Sequence, residues 1–517
     1  MGGLPEVHEN AMKKTDYLER ILNARVYDVA IESPLEEARR LSRRLGNTVL
    51  LKREDLQPVF SFKLRGAYNK IANLSDEAAA RGVICASAGN HAQGVALAAG
   101  RRGIPAVIVM PQTTPRIKVK AVIDLGGEAI LHGDDYDSAF EYATRLAGER
   151  NLVFVHPFDD PDVIAGQGTI GLEIAQQTKG DVDAVFVPVG GGGLIAGIAV
   201  YLKYLHPQIR IIGVNAADST AMHDSLQKGH RVALDRVGMF ADGVAVRRVG
   251  EETFRIASTC VDEMMLVTTD EMCAGIQDIF EDTRSIVEPA GALAVAAIKK
   301  YVAREACSGR RFVAINCGAN MNFDRLRHVA ERAEIGAHRE ALLAVEIPEQ
   351  PGSFLRFCSV LGRRAVTEFN YRYEAGTVAR IFVGFALNDG VADREAVISA
   401  LRTAGYPVVD MTDNELSKLH VRYMVGGHAR GLSDELLLRF EFPERPGALA
   451  RFLEAVGGRW NISLFHYRNH GSDYGRVLVG IQVPAASHAA FSAHLTELQY
   501  PWTDETNNPA YRMFLGT

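Results

Sequence analysis

The sequence predicts a mixed α/β fold of mainly parallel sheets, followed by two smaller ferredoxin-like units. Between about residues 30 and 330, short apolar runs rich in Val and Ile alternate with helical patterns, and most of the runs lack period-two alternation. Strands buried on both faces read this way. Beyond them the chain repeats itself: Glu346-Ile347-Pro348-Glu349-Gln350-Pro351-Gly352 recurs as Glu441-Phe442-Pro443-Glu444-Arg445-Pro446-Gly447. A repeat aligned over most of a hundred residues marks a duplicated structural unit.

Strands are expected at 48–52, 82–86, 106–109, 129–132, 153–156, 184–189, 209–215 and 311–316. Helical patterns fall at 75–81, 91–102, 114–125, 136–150 and 168–177. This alternation implies helices on both sides of parallel sheets, with ligand-binding loops beyond the carboxyl ends of the strands. The uncharged stretch 184–202 is long enough to suggest a membrane span, but Pro188 and Gly190 to Gly193 interrupt it. It reads instead as a strand, a glycine loop and a helix. A charged helical segment, 331–340, is expected to link a first domain, 1–335, to the repeats at 336–430 and 431–517. In each repeat an alternating strand precedes the Pro-Gly motif and a helix follows it (353–361, 448–456). Next come a strand with an aromatic-basic pair, Tyr371-Arg372 or Tyr467-Arg468, another strand (379–387, 476–483), a helix and a last strand. That order, βαββαβ, is ferredoxin-like.

A chain of 517 residues exceeds what one hydrophobic core usually serves. Its formal charge of −6 is spread out, with no basic cluster. This disfavours nucleic-acid and membrane-surface partners and favours small-molecule chemistry. The six cysteines (Cys85, Cys260, Cys273, Cys307, Cys317, Cys358) form no CxxC pair. Reduced thiols in a cytoplasmic protein are expected, with no disulfide framework or metal site. Residues 1–10 lack the basic-then-apolar pattern of a signal peptide.

Four motifs carry chemistry. Lys63 sits between Phe62 and Leu64, in a loop expected to enter a helix near Arg65. A solvated surface lysine is the commoner case, but an apolar setting lowers the amine's pKa, as Schiff-base formation needs. Ser87-Ala88-Gly89-Asn90-His91 lies between a strand and a helix. Its exposed N–H groups suit a carboxylate, although a plain capped turn would look similar. Asn90 offers amide donors for a phenolic oxygen. His91 is either catalytic or, as lone histidines at helix starts more often are, structural. Gly190-Gly191-Gly192-Gly193-Leu194 also joins a strand to a helix. Four glycines let successive N–H groups converge on a phosphate, where a tight turn would need only one or two. Gly191, Gly193 and Ala196, with Asp218 beyond, also satisfy a loose dinucleotide pattern. Asn316-Cys317-Gly318-Ala319-Asn320 follows the last strand. Its thiol could hydrogen-bond an uncharged ring nitrogen or simply be a small buried hydrophobe. Asp242-Gly243 leaves a cation site open.

Taken in order, SFKLRGA, SAGNHAQG, PVGGGGLIAG and CGAN resemble the fold-type II pyridoxal-phosphate enzymes, and within them the biosynthetic threonine ammonia-lyases. The resemblance covers essentially the whole chain, because the C-terminal repeats are similar to the paired ACT-like regulatory modules of that branch. It implies two parallel-sheet subdomains and pyridoxal phosphate bound to Lys63 beside Phe62. It places the phosphate on Gly190, Gly191, Gly192, Gly193 and Leu194, the 3′-oxygen on Asn90 and the ring nitrogen on Cys317, where many relatives have serine. The substrate carboxylate would lie on Ser87, Ala88, Gly89 and Asn90, with His91 completing the set. The freed Lys63 amine would take the Cα proton of threonine, and the cofactor's phosphate would protonate the departing hydroxyl. L-Threonine, or L-serine, would be the substrate; isoleucine would inhibit and valine oppose it, through Tyr371, Tyr467, Arg372 and Arg468. A homotetramer is implied. Serine racemisation, a NAD-dependent oxidoreductase and a non-catalytic amino-acid sensor are the alternatives.

Overall fold

The computed structural model describes residues 16–374, 376–424, 426–429, 431–443, 448–456, 458–468, 474–498 and 500–515. Residues 1–10, read above for a leader, and the second Pro-Gly turn at 444–447 lie outside them. Among the described residues, β1 (Leu35–Glu37), β2 (Thr48–Arg53), β3 (Val83–Ala86), β4 (Ala106–Met110), β5 (Glu128–Leu131), β6 (Val153–Phe154), β7 (Ala184–Pro188), β8 (Arg210–Ala216), β9 (Glu263–Val267) and β10 (Arg311–Asn316) make two sheets. One has the order β1-β2-β10-β7-β8-β9 and the other β5-β4-β3-β6. Every pairing is parallel except that of the edge strand β1 with β2. β3, β4 and β7 are buried along their whole length, which is why their residues show no alternation.

The eight expected strands are present with ends moved by a residue or two, whereas β1 and β9 were not anticipated. β1 is three residues long and mostly exposed, too short to carry a period. The helix expected at 168–177 runs over Pro161–Thr178. Asp160 caps it, accepting from the N–H groups of Asp162 (2.8 Å) and Val163 (3.3 Å), and Pro161 occupies the first turn. Glycine is a poor helix former, and Gly166 lies before the expected start at residue 168. Here Gly166 and Gly168 are crossing points. A Cβ at Gly166 would lie 2.7 Å from Arg65 O, and one at Gly197 would lie 2.5 Å from Ile164 O. Packing of helix Pro161–Thr178 against helices Lys63–Ala72 and Gly193–Leu205 outweighs the local preference.

Under that crossing lies a buried ionic cluster. The Arg65 guanidinium donates to Glu54 through Nε and Nη2, both at 2.8 Å, and to Glu173 through Nη1 at 2.6 Å. Lys52 Nζ donates to Glu173 at 2.6 Å and to Ser33 O at 2.7 Å. All four charged side chains are fully buried. The two guanidinium and ammonium charges hold the Glu173 carboxyl below its usual range, against the upward push of burial.

By contact density the chain divides into Met1–Ala333 and Glu334–Thr517. The charged segment read as a linker is part of helix Arg325–Gly336, and Glu340 already opens the next strand. The second unit contains β11 (Glu340–Pro348), β12 (Val366–Arg372), β13 (Val378–Ala386) and β14 (Val408–Asp410), then β15 (Glu435–Pro443), β16 (Asn461–Arg468), β17 (Tyr474–Gln482) and β18 (Trp502–Asp504). With helices Ser353–Leu361 and Gly390–Thr403 in one half, and Ala448–Val456 and His488–Glu497 in the other, both halves follow βαββαβ. Their strands fuse into one sheet, β14-β11-β13-β12-β16-β17-β15-β18, through antiparallel pairing of β12 with β16. No helix among the described residues is long and apolar enough to cross a membrane.

Removing Arg65 leaves two buried carboxylates facing a single lysine. Arg65→Ala should therefore destabilise the protein by about 3–5 kcal/mol. Arg65→Lys should recover only part of this, because an ammonium cannot bridge two carboxylates as a fork does. Urea midpoints of the three proteins measure both effects, and a loss below about 1 kcal/mol for Arg65→Ala would contradict the account.

Candidate active site

The four motifs converge. β3, β7 and β10 are parallel strands, and the second, third and fourth motifs begin at or just beyond their carboxyl ends, where loops of open α/β sheets gather. Lys63 is the first residue of helix Lys63–Ala72, two residues earlier than the sequence suggested. Its loop is tied to the end of β10 by a bridge between Ser61 and Gly318, and by Phe62 N–H donating to Cys317 O at 3.3 Å.

The Lys63 amine is half-buried, donates to Pro157 O at 3.0 Å and lies 5.4 Å from the Phe62 ring centroid. Loss of water lowers it to about 8, opposed by the attraction of Cys317 and Glu288. It therefore exchanges a proton near neutral pH, as a carbonyl-binding amine must.

In the glycine loop, Gly191, Gly192, Gly193 and Leu194 are buried at the start of helix Gly193–Leu205. Among the described residues their N–H groups have no hydrogen-bond acceptor in the protein. Buried N–H groups are almost always paired, so four adjacent ones at a helix N-terminus form a cradle for an anion. The glycines also have packing reasons. A Cβ at Gly191 would lie 2.2 Å from the Phe158 ring, and Gly192 has φ +99 with Thr253 and Met222 against it. Steric demand thus accounts for part of what the sequence attributed to the ligand alone. The dinucleotide alternative loses its acidic residue, since Asp218 packs on Gly238, where a Cβ would sit 1.7 Å from the carboxylate.

Helix Asn90–Arg102 begins at Asn90. Ser87 N–H donates to Val109 O at 3.0 Å, and Gly89 N–H to Ser87 Oγ at 3.2 Å. Ser87 N–H is thus spent on the neighbouring strand β4 and Gly89 N–H within the turn, so the expected carboxylate site narrows to the N–H groups of Ala88, Asn90 and His91. His91 answers its two readings in favour of structure: its Nε2 lies 2.9 Å from Val155 O, and burial, with Lys63 nearby, lowers its pKa to about 3. It stays neutral and holds the end of β6. Cys317 is buried, and desolvation with the neighbouring Glu288 raises its thiol well above the usual range. It is a thiol, never a thiolate, at neutral pH.

Sequence reasoning missed Glu288. Its buried carboxyl accepts from Asn90 Nδ2 at 2.7 Å and from Asn320 N–H at 3.1 Å. A glutamate directly before Pro289, which starts helix Pro289–Glu305, was the available signal. Segment 155–159 was missed too, because no residue type there announces a role. Asp242 donates nothing to a cation site here: it pairs with Lys118 at 2.7 Å and Arg325 at 3.5 Å.

In the second unit, Tyr371 and Tyr467 are buried on the paired strands β12 and β16. Tyr371 packs edge-on to Phe354, with ring centroids 5.0 Å apart, and its hydroxyl donates to Glu349 of the first Pro-Gly motif. Arg372 was expected to help hold an effector. Instead its guanidinium is bound by Glu435 and by the carbonyls of Gly427 (3.0 Å), Ser463 (3.3 Å) and Leu515 (2.6 Å), a structural tie with no donor to spare for an effector. The Arg468 side chain lies outside the described residues.

The profile of the family described as pyridoxal-phosphate dependent enzyme matches residues 26–318, and that of the C-terminal regulatory domain of threonine dehydratase matches 331–421 and 426–515. The chain is 57% identical over 508 residues to the biosynthetic L-threonine dehydratase IlvA of Burkholderia multivorans, covering 98% of this chain and 100% of that one. It is similar to the solved processed form of threonine deaminase isoform 2 from Solanum lycopersicum, with 52% identity, TM-score 0.62, and coverage of 62% of this chain and 89% of that one. Maize serine racemase is a further solved likeness, with 30% identity, TM-score 0.56, and coverage of 61% of this chain and 97% of that one.

Burial, reinforced by Asp242, pushes the Glu288 carboxyl up from 4.5 to about 7. Between these values the unfolded chain has released the proton and the folded protein retains it. Stability should thus fall as pH rises through that window, by on the order of 3 kcal/mol. Glu288→Gln should flatten this part of the profile, which urea midpoints between pH 4.5 and 7 will record.

Proposed function

Because the chain belongs to the pyridoxal-phosphate-dependent threonine dehydratases, we propose that it converts L-threonine to 2-oxobutanoate and ammonia as the committed step of isoleucine synthesis, and is inhibited by isoleucine. L-Serine is a second substrate, and valine opposes the inhibition. One juxtaposition supports this reading most: a lysine amine lowered to about 8 in the same site as a loop of unpaired, buried N–H groups. The two features match the carbonyl and the phosphate of pyridoxal phosphate, so the residues present fit the cofactor.

Pyridoxal phosphate, when bound, supplies the electron sink for the charge left at the substrate's Cα. The chain supplies position and proton handling. Lys63 Nζ would hold the cofactor, and an amine titrating near neutral pH is suited to taking the substrate's Cα proton. Phe62 walls its apolar side. Gly190 to Leu194 hold the phosphate, and the N–H groups of Ala88, Asn90 and His91 orient the substrate carboxylate. Asn90 faces the cofactor's phenolic oxygen. The Cys317 thiol would face the cofactor's ring nitrogen as an uncharged partner.

The regulatory reading rests on the duplicated βαββαβ unit and on Tyr371, whose hydroxyl reports on the Pro-Gly motif through Glu349. We assign effector binding to the surroundings of Tyr371 and Tyr467, in domains bounded at 336–430 and 431–517 after a catalytic domain at 1–335. A homotetramer in the cytoplasm completes the proposal.

Threonine should yield 2-oxobutanoate in a direct assay, and isoleucine should suppress it. Lys63→Ala should lose the cofactor's visible absorption together with turnover, the latter by on the order of 10³-fold or more. Formation of D-serine from L-serine at a higher rate than 2-oxobutanoate from threonine would replace this reading with a racemase. Tyr371→Ala should raise the isoleucine concentration for half-inhibition by about tenfold, the scale of one lost buried contact; an unchanged value would remove Tyr371 from the effector site.

A further inference from the structure

We infer that Glu288 and Asn320 are positioning residues that lock the amide of Asn90 in one orientation, leaving a single Asn90 N–H to donate to the cofactor. This rests on the reading above that Asn90 faces the cofactor's phenolic oxygen.

The orientation follows from one unambiguous acceptor. Asn320 Nδ2 lies 2.8 Å from Val59 O, and a backbone carbonyl can only accept. That end of the Asn320 amide is therefore nitrogen. The same nitrogen lies 2.7 Å from Asn90, so the facing Asn90 atom is its carbonyl oxygen. The Asn90 nitrogen then faces Glu288 Oε1 at 2.7 Å, and the other carboxyl oxygen accepts from Asn320 N–H at 3.1 Å. Three residues thus form a closed ring of hydrogen bonds anchored to the backbone. Turning the Asn90 amide over would set its NH2 against that of Asn320, two donors with no acceptor between them.

The ring needs room, and Gly318 provides it. A Cβ there would stand 2.7 Å from Glu288 Oε1 and 3.2 Å from Asn90 Nδ2. One N–H of Asn90 is spent on Glu288. The other has no hydrogen-bond acceptor among the described residues, and Asn90 is half-buried while Glu288 is closed off. The arrangement presents one donor in one direction, which is what fixed recognition of a phenolic oxygen requires.

A hydrogen bond to that oxygen biases the proton distribution between it and the lysine-bound imine nitrogen, and so the visible spectrum of the holoenzyme. Asn320→Ala frees the Asn90 amide without touching Lys63 or the glycine loop. The holoenzyme spectrum should change in the same direction as that of Asn90→Ala, with cofactor still bound, and kcat should fall about tenfold with KM for threonine little altered. In the double variant, Asn90→Ala with Asn320→Ala, neither quantity should change beyond Asn90→Ala alone. Should Asn320→Ala fold poorly, Glu288→Gln, whose single amide oxygen can accept from only one of the two donors, should give a smaller change of the same sign. A wild-type spectrum for Asn320→Ala, or fully additive effects in the double variant, would overturn the clamp while leaving the placement of Asn90 intact. A wild-type spectrum for Asn90→Ala would overturn that placement, and the clamp with it.

Discussion

Arg65 is buried beneath the crossing of two helices and touches both carboxylates of a four-charge cluster. The cluster joins the end of β2 (Lys52), the turn after it (Glu54), helix Lys63–Ala72 (Arg65) and helix Pro161–Thr178 (Glu173). Tyr27 and Ser33, from the segment before β1, also bond Glu173. Charges removed from water are tolerable only when each is paired in good geometry, so the cluster admits one arrangement of these elements. Lys63 is two residues from Arg65 at the start of the same helix. The position of the Lys63 amine therefore depends on the interaction that fixes that helix.

A second constraint acts from the opposite side of the site. After β6, the chain presents Val155 O to His91, Pro157 O to Lys63, and Phe158 to Gly191 and Gly193. His156 Nδ1 accepts from the N–H groups of Phe158 and Asp159, holding the turn, and Asp159 caps helix Glu251–Cys260 at 2.8 to 3.2 Å. Five consecutive residues thus reach the amine, the second motif and the glycine loop. Burial lowers His156 to about 4, so it is a neutral acceptor at neutral pH. The two histidines flanking the site act as fixed struts, whereas Lys63 and Glu288 are both shifted toward neutrality.

In the regulatory unit, duplication lets two short sheets become one. β12 and β16 pair at their equivalent edges, setting Phe369 opposite Tyr467 and Tyr371 opposite Phe465. Phe369 and Phe465 meet edge to face with centroids 5.2 Å apart. The aromatic-basic pair that marks each repeat therefore falls at the seam between halves. There the tyrosines enter the apolar core and Arg372 crosses to Glu435 of the other half. The members of the first pair part company: the Tyr371 hydroxyl turns to Glu349 of the Pro-Gly motif, and Arg372 fastens the two copies together.

Outside β1, β9 and the helices between β8 and β10, the order of elements was legible in the residues, as were the parallel sheets, the duplicated C-terminal unit and all four motifs. Each depends on local pattern or on side-chain chemistry that survives without neighbours: apolar runs for buried strands, glycines for close backbone, an isolated lysine between hydrophobes. The backward extension of helix Pro161–Thr178 was not legible, because only a neighbouring helix turns Gly166 from a helix breaker into a contact point. Nor were Glu288 and segment 155–159, whose roles exist only once chain segments far apart in sequence meet. Arg372 shows the limit most clearly: sequence assigned it a charge, and the fold decided which carboxylate would take it. Sequence determined which chemistry the chain carries; tertiary structure decided which polar groups are left free to perform it, because hydrogen-bond partners are allotted by proximity in space.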